Sequence, residues 1–450
     1  MESQHSSPVA GAPARCPMHG ADFAADPGRI YDRLREFGPA APVELSPGVD
    51  ATLVTEHHTA RRVLQNPTLF ARDSRRWTAL NEGRIALDNP ILPMMAYRPN
   101  CLFTDGTVHL RLRKAVTESL DKLNVSRLAR DVEQIADYLI GQFSERGRAD
   151  LLNDYAKLLP LLLFNKLFGC PADIGDRLTT SMGAIFDGKD ALRANEELTA
   201  CLMELIALKR RTPGEDITSW LIAHPAGLND EELKDQLVML MGAGVEPERN
   251  LIGNTLLLLL SEDTSGRKSG MLVEEAMDDV LWNNPPIANY ATHFPLQTVD
   301  LDGVEVAANT PLVISFAAAN SDPALTAERE MLSKGAHLAW GAGPHACPAK
   351  SPAQLIALTA VEKILNTLHD LTLTEPVDQL QWRPGPFHRA LVALPVRFSP
   401  IPATRFAEPL PPAEGPAQDV ALLEGTAQPV PAAPQQRKGF WSTFLDLFRV

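Results

Sequence analysis

A mainly α-helical fold with small β-sheets is what the sequence predicts, and three observations carry that prediction. Apolar residues recur at helical spacing in successive segments through residues 125–225. Asn229 to Ser261 reads as one helix of about thirty residues, far longer than the usual eleven or twelve, with Asn229 as N-cap and Glu232 three positions on as its capping-box partner. Strand-like alternation is confined to short regions at 42–55, 295–313 and 371–398.

The chain has 450 residues, 45% of them hydrophobic, enough for a large core, and length alone suggests two or three domains. Its five cysteines are an odd number without a CxxC pair, which argues against a disulfide framework and for a reducing compartment. The first fifteen residues lack the apolar centre of a signal peptide, and no apolar run approaches the roughly 18 residues of a membrane span. A soluble, cytoplasmic protein is therefore expected. A formal charge of −14 disfavours nucleic acid as a partner, because phosphates demand Lys and Arg.

Taken in order, residues 1–24 read as a flexible arm, in which Cys16 and His19 are too few ligands for a closed metal site. A helix from Pro27 carries Ile30, Leu34 and Phe37 inward, the strand region 42–55 follows, and His57 to Leu64 repeats the helical period. Residues 72–103 lack periodicity yet hold Trp77, Ile85, Leu87, Ile91, Leu92, Met94, Met95 and Tyr97. Such a loop is either a substrate lid or a segment packed on the core, and the sequence favours neither. On the next helix, with Leu112, Val116 and Leu120 inward, His109 and Arg113 stand at i and i+4 and so face one anion. That spacing alone more often marks a solvated face. Leu158 to Leu163 reads as core, Met271 to Asn284 as a helix, and Asp302-Gly303 as the turn of a hairpin.

The segment His337 to Lys350, HLAWGAGPHACPAK, is the most informative. Gly341 and Gly343 mark a loop whose backbone comes close to something flat. Behind them stands Cys347, and a thiolate is the axial ligand whose electron donation favours O–O cleavage, so the loop points to a haem, with His345 within reach of a propionate. Ser351, Pro352 and Gln354 predict the N-cap, N1 and N3 of a following helix, whose dipole lowers the thiol's proton affinity. A lone cysteine is more often a small buried hydrophobe. The surrounding fourteen residues reverse that preference.

Trp340, Gly341, Gly343, His345 and Cys347 stand in the order aromatic, Gly, x, Gly, x, basic, x, Cys, and the loop resembles the haem-binding loop of the cytochrome P450 superfamily. Ala349 departs from the family's usual glycine. The resemblance covers about residues 25 to 400. It implies a single-domain cytochrome P450 fold over 25–399, with haem b between the long central helix and the cysteine loop. It further implies Cys347 as iron ligand, Trp340, Gly341 and Gly343 against the cofactor, and His109, Arg113 and His345 on the propionates. His293 falls where the family usually has a propionate-binding arginine. Ala243-Gly244-Val245-Glu246-Pro247 resembles the family's oxygen-activating segment, with Glu246 as its acid. Pro247 replaces the usual threonine, so the relay hydroxyl is missing and the Ala243 carbonyl loses its helical partner. Asp279 and Trp282 stand where Glu-x-x-Arg is usual, and Asn320-Ser-Asp-Pro323 where Asn-Arg-Asp-Pro is usual.

A haem-thiolate monooxygenase acting on a small, largely apolar organic substrate with electrons from a ferredoxin-type partner is thus the first functional expectation. The alternative is a haem protein of the same fold with impaired oxygen activation, a sensor or assembly partner in a GTPase-linked signalling complex. The losses at Pro247 and Trp282 resemble an unusual actinobacterial subfamily of that kind. A helical scaffold without haem would make Cys347, His345, His109 and Arg113 coincidences. Beyond the fold, 400–436 holds nine prolines and reads as an extended linker. Residues 437–450 read as an amphipathic helix with Phe440, Trp441, Phe444, Leu445, Leu447 and Phe448 on one side, suited to a protein partner rather than a membrane surface, where it would make the protein peripheral.

Overall fold

The computed structural model describes residues 15–186, 191–261, 271–325 and 334–406. The linker beyond 406 and the amphipathic tail at 437–450 lie outside the described residues. Helices dominate, with sheets of six, three and two strands.

The long helix forms at Asp230–Leu260 with both halves of its capping box in place. The Glu232 amide donates to Asn229 Oδ1 at 2.9 Å, and the Asn229 amide donates to Glu232 Oε2 at 3.1 Å. It packs against the helices Leu158–Phe168, Ala191–Arg211, Val273–Asn283 and Lys350–Thr367. Every residue from Glu248 to Leu257 is buried, as expected of a helix enclosed on all sides. Before that stretch, Gly242 and Ala243 are accessible. Among the described residues no helix is long and apolar enough to cross a membrane.

The six-stranded sheet runs in the order Cys16–Pro17, Ala40–Ser46, Val49–Val54, Leu312–Ser315, Asn289–Pro295, Phe70–Ala71. The strand region 42–55 is a hairpin, and Val299–Leu301 pairs with Val304–Val306 around Asp302 and Gly303. Both turn residues have positive φ, 50° and 96°, the conformation a two-residue hairpin turn demands.

The fold extends past both expected boundaries. Within residues 15–24, assigned from sequence to the arm, Cys16–Pro17 is strand, the helix Ala21–Ala25 begins, and Met18 is fully buried. At the other end Ile401 is buried, and its amide donates to the Ser144 carbonyl at 3.0 Å. Phe37 lies past the end of Pro27–Arg35 and is 50% exposed. Within 72–103, Trp77, Ile85, Ile91, Leu92 and Met95 are buried against the sheet, so the packed reading describes this loop.

Three contacts fix the cysteine loop to the scaffold. Asn320, fully enclosed, accepts from the Leu338 amide at 2.7 Å and donates to the Leu281 carbonyl at 3.0 Å. Trp282 meets the His337 ring edge-to-face at 5.7 Å. The arrangement stands where an ion pair on Val273–Asn283 was expected to be missing, and Asp279 instead accepts from Asn283 at 3.0 Å.

Burial, and then the charge of Lys350, push the His337 imidazole down to about 4. Its folded value thus lies below the ordinary value of about 6.5, so the unfolded chain takes up the proton first as pH falls. The contribution is complete above pH 6.5 and is lost between about 6.5 and 4, amounting to about 3 kcal/mol. Urea midpoints measured from pH 7.5 to 4.5 should therefore fall less steeply for His337→Gln than for the unmodified chain. Identical slopes would remove His337 as the cause.

Candidate active site

The cysteine loop closes on itself through two backbone bonds. The Gly341 amide donates to the Leu338 carbonyl at 2.7 Å, and the Cys347 amide donates to the Trp340 carbonyl at 2.8 Å. Gly341 and Gly343 have φ of 71° and 69°, which other residues rarely adopt. Gly343 has a second reason to lack a side chain, since a Cβ there would sit 2.3 Å from the Leu64 carbonyl oxygen. The close approach that sequence assigned to a flat ligand is, at Gly343, an approach to the end of the helix His57–Leu64.

The following helix begins at Lys350 with Ala349 as N-cap and no side-chain cap, so the capping box expected from Ser351, Pro352 and Gln354 does not form. Cys347 is accessible although protein surrounds it, as suits a residue lining a hollow. Burial raises the free thiol's pKa, opposed by a backbone bond from Ala349 and by Arg113, and Glu248 raises it further. Burial outweighs the local dipole, and formation of the thiolate therefore rests on a metal taking the proton's place.

Beside the loop lies a group of basic side chains from four segments. His109, buried on Gly106–Leu120, stacks on His345 with ring centres 4.0 Å apart. Arg113, one turn on, donates through Nη2 to the Ala346 carbonyl and through Nε to Thr117 Oγ1 at 3.3 Å. His293 sits on Asn289–Pro295 where the register slips after Tyr290, with Ala291 at a φ of 53°, an irregularity that re-aims the side chain. Its Nδ1 bonds the Ala291 carbonyl at 2.5 Å. Arg72, which no sequence pattern marked, is buried next to them. Burial first, then the neighbouring guanidinium charges, hold His109, His293 and His345 below the ordinary imidazole range, and so neutral.

One carboxylate, Asp105, is close, its Oδ1 lying 3.9 Å from His345 Nε2. It already accepts from the backbone amides of Arg72 and Asp73 at 2.9–3.1 Å. Buried nitrogens at His109 Nε2, Arg72 Nη1 and Trp340 Nε1 have no partner. Two permanent cations, orphaned N–H groups and an accessible cysteine are a donor set that lacks a dianion and a thiolate-binding metal, and haem supplies both. The residues present fit that group.

On the central helix Ala243 is accessible and Gly244 is half-buried, and the acids have partners that the sequence does not reveal. Gly244 is also required by Phe164, whose ring tip would lie 2.2 Å from a Cβ. Glu246 is turned into the protein, paired with Arg249 at 3.5 Å and with Arg383 of the C-terminal hairpin, while Asn250 donates to it at 3.4 Å. Glu246, the acid of the segment in the sequence reading, thus has two guanidinium partners. Pro247 is half-buried and brings no hydroxyl. A second acid, Glu248, is buried, the loss of solvent pushes its carboxyl well above the ordinary carboxylate range, and it lies close enough to Cys347 for a charge on it to be felt there. Among the described residues no cluster of three or more His, Cys, Asp or Glu forms a metal site, and His19 near Cys16 pairs with Glu44 at 3.3 Å.

No family model matches the chain. It is similar to the cytochrome P450 monooxygenase PikC of Streptomyces venezuelae, at 33% identity over 398 residues that cover 84% of this chain and 92% of that one. It is similar also to the mycinamicin IV hydroxylase/epoxidase of Micromonospora griseorubida, at 27% identity over 84% of this chain and 96% of the relative. Among solved structures, CYP154C4 from Streptomyces sp. W2061 superposes with a TM-score of 0.76 at 25% identity, over 85% of this chain and 97% of that one. With a thiol loop, a basic cluster and a long helix in one arrangement, and with a relative of this identity and coverage, the chain belongs to the bacterial cytochrome P450 superfamily of haem monooxygenases.

Proposed function

We propose that this chain binds haem b through Cys347 and inserts one oxygen atom of O2 into a small, largely apolar organic molecule, with electrons from a ferredoxin-type partner. The observation that carries this reading is the buried excess of basic groups beside an accessible cysteine. His109, Arg113 and His345 would hold the two propionates, with His293 as a neutral hydrogen-bonding neighbour, and Trp340 and Gly341 would border the ring. When bound, haem supplies a redox-active iron whose thiolate ligand favours O–O cleavage. Ala243, small and accessible, would leave room for an apolar substrate on the central helix, while Gly244 is covered by Phe164. Relatives named for mycinamicin IV hydroxylation and polyketide biosynthesis support a natural-product substrate of that kind.

Proton supply is where these residues depart from an efficient oxygenase. Proline at 247 leaves no hydroxyl, and Glu246 is committed to Arg249 and Arg383. A proton must therefore come from ordered water or from the substrate, within the hydrogen-bond reach of about 2.6–3.2 Å that transfer requires. This observation favours a second reading, a haem protein with weak oxygen activation that serves as a sensor or assembly partner. The tail at 437–450 would then be its docking element.

Two experiments test these readings. Cys347→Ala should abolish the red-shifted carbon monoxide band of the reduced protein, and its retention would unseat Cys347 as ligand. With a surrogate ferredoxin, most reducing equivalents should leave as hydrogen peroxide, and Pro247→Thr should raise the product-to-peroxide ratio by about a hundredfold, the low end for a positioned proton donor. Tight coupling in the unmodified protein on a substrate without hydroxyl groups would contradict the relay argument.

A further inference from the structure

Arg72 is the least explained charge in the molecule. Its side chain is 96% buried, residue exposure being 4%, and among the described residues no carboxylate forms an ion pair with it. Its Nε donates to the Leu102 carbonyl at 3.3 Å, and Nη1 has no partner. Asp105, the nearest acid, is taken by the backbone amides of Arg72 and Asp73 rather than by the guanidinium. Burying a guanidinium without a counter-charge costs several kcal/mol, and a fold retains such a group where a ligand completes it.

The sheet register says where that ligand lies. Phe70 pairs with Pro295 and Ala71 with Phe294, so Arg72 and His293 flank that last pair on the two strands, and the Arg72 charge reaches His293. His293 is fully enclosed and neutral, so this edge of the basic cluster draws its charge from Arg72 alone. The Arg72 charge is felt by His109, His293 and His345 together, which puts it among them. Arg113, the other permanent cation, approaches from the opposite element, Gly106–Leu120, and spends one N–H on Ala346.

We infer that Arg72 is a second guanidinium anchor for the haem, binding one propionate carboxylate while Arg113 and the histidines bind the other. This rests on the haem reading above. Two carboxylates meet two guanidinium groups from separate segments, and the segment following Phe70–Ala71 becomes part of the cofactor site. Its local sequence, Phe-Ala-Arg-Asp-Ser-Arg-Arg, hides the residue among two further arginines, Arg75 and Arg76, that face solvent.

The test is a cycle of protein and porphyrin. Haem transfer to apomyoglobin is timed for the unmodified protein and Arg72→Gln, each loaded with haem b or with its dimethyl ester, which lacks both negative charges. Gln keeps the aliphatic stem and an amide donor near the place of Nε, the atom bonded to Leu102, which favours folding, and Arg75→Gln serves as the surface control. Loss of a charge-assisted bond predicts haem b release about tenfold or more faster in Arg72→Gln, with ester release changed by less than about twofold. The propionate bending band in the resonance Raman spectrum should shift in the same variant, while the thiolate-type carbon monoxide band stays. Equal loosening of both porphyrins would mean that Arg72 only supports the fold, and unchanged haem b release would likewise overturn the proposal. An unmodified protein that takes up no haem would instead overturn the site reading on which the proposal rests.

Discussion

Uncompensated positive charge in a buried space is the constraint on which the rest of this structure depends. Arg72 and Arg113 cannot shed their protons, and three histidines crowd beside them. The chain limits the repulsion by excluding water, which keeps the imidazoles neutral, and by committing Asp105 to backbone amides that hold the loop at 72–73. Four segments distant in sequence share that space: the loop after Phe70–Ala71, the helix Gly106–Leu120, the strand Asn289–Pro295 and the cysteine loop. A dianion entering there would bind all four at once, so cofactor and fold are coupled energetically.

The opposite wall, the central helix, trades proton delivery for rigidity. Glu246 joins the helix to the C-terminal hairpin through Arg383, and Pro247 beside it adds no hydroxyl. A buried pair of this kind is a poor source of stability because desolvation offsets its attraction, yet breaking one side is costly. It fixes which way the helix faces. The same economy shows on Val273–Asn283, where Trp282 packs on His337 and Asn320 ties Leu281 to Leu338 in place of the expected ion pair. The scaffold under the cysteine is kept while the charges that usually hold it are absent.

What could be read in the sequence follows from the range of each interaction. The Asn229–Glu232 cap, the helix His57–Leu64 and the Asp302-Gly303 turn are local, and the structure forms them as expected. Cys347, His345 and Trp340 were legible because one loop carries them at fixed spacing, and His109 with Arg113 because a helix turn separates them. Arg72 was not legible, since its role comes from a strand register more than two hundred residues away. The pairing of Glu246 was hidden for the same reason: its partner Arg383 belongs to a hairpin that meets the helix only in the fold. Ser351 failed as a cap because the helix starts two residues earlier, tight behind the cysteine.

The most direct measurement is a crystallographic structure of the haem-loaded protein. The account predicts iron bound by Cys347 Sγ, with Arg113 released from the Ala346 carbonyl onto one propionate and basic groups within hydrogen-bond distance of both. Iron bound instead by the stacked His109 or His345, with the Cys347 thiol free and the propionates in solvent, would contradict it.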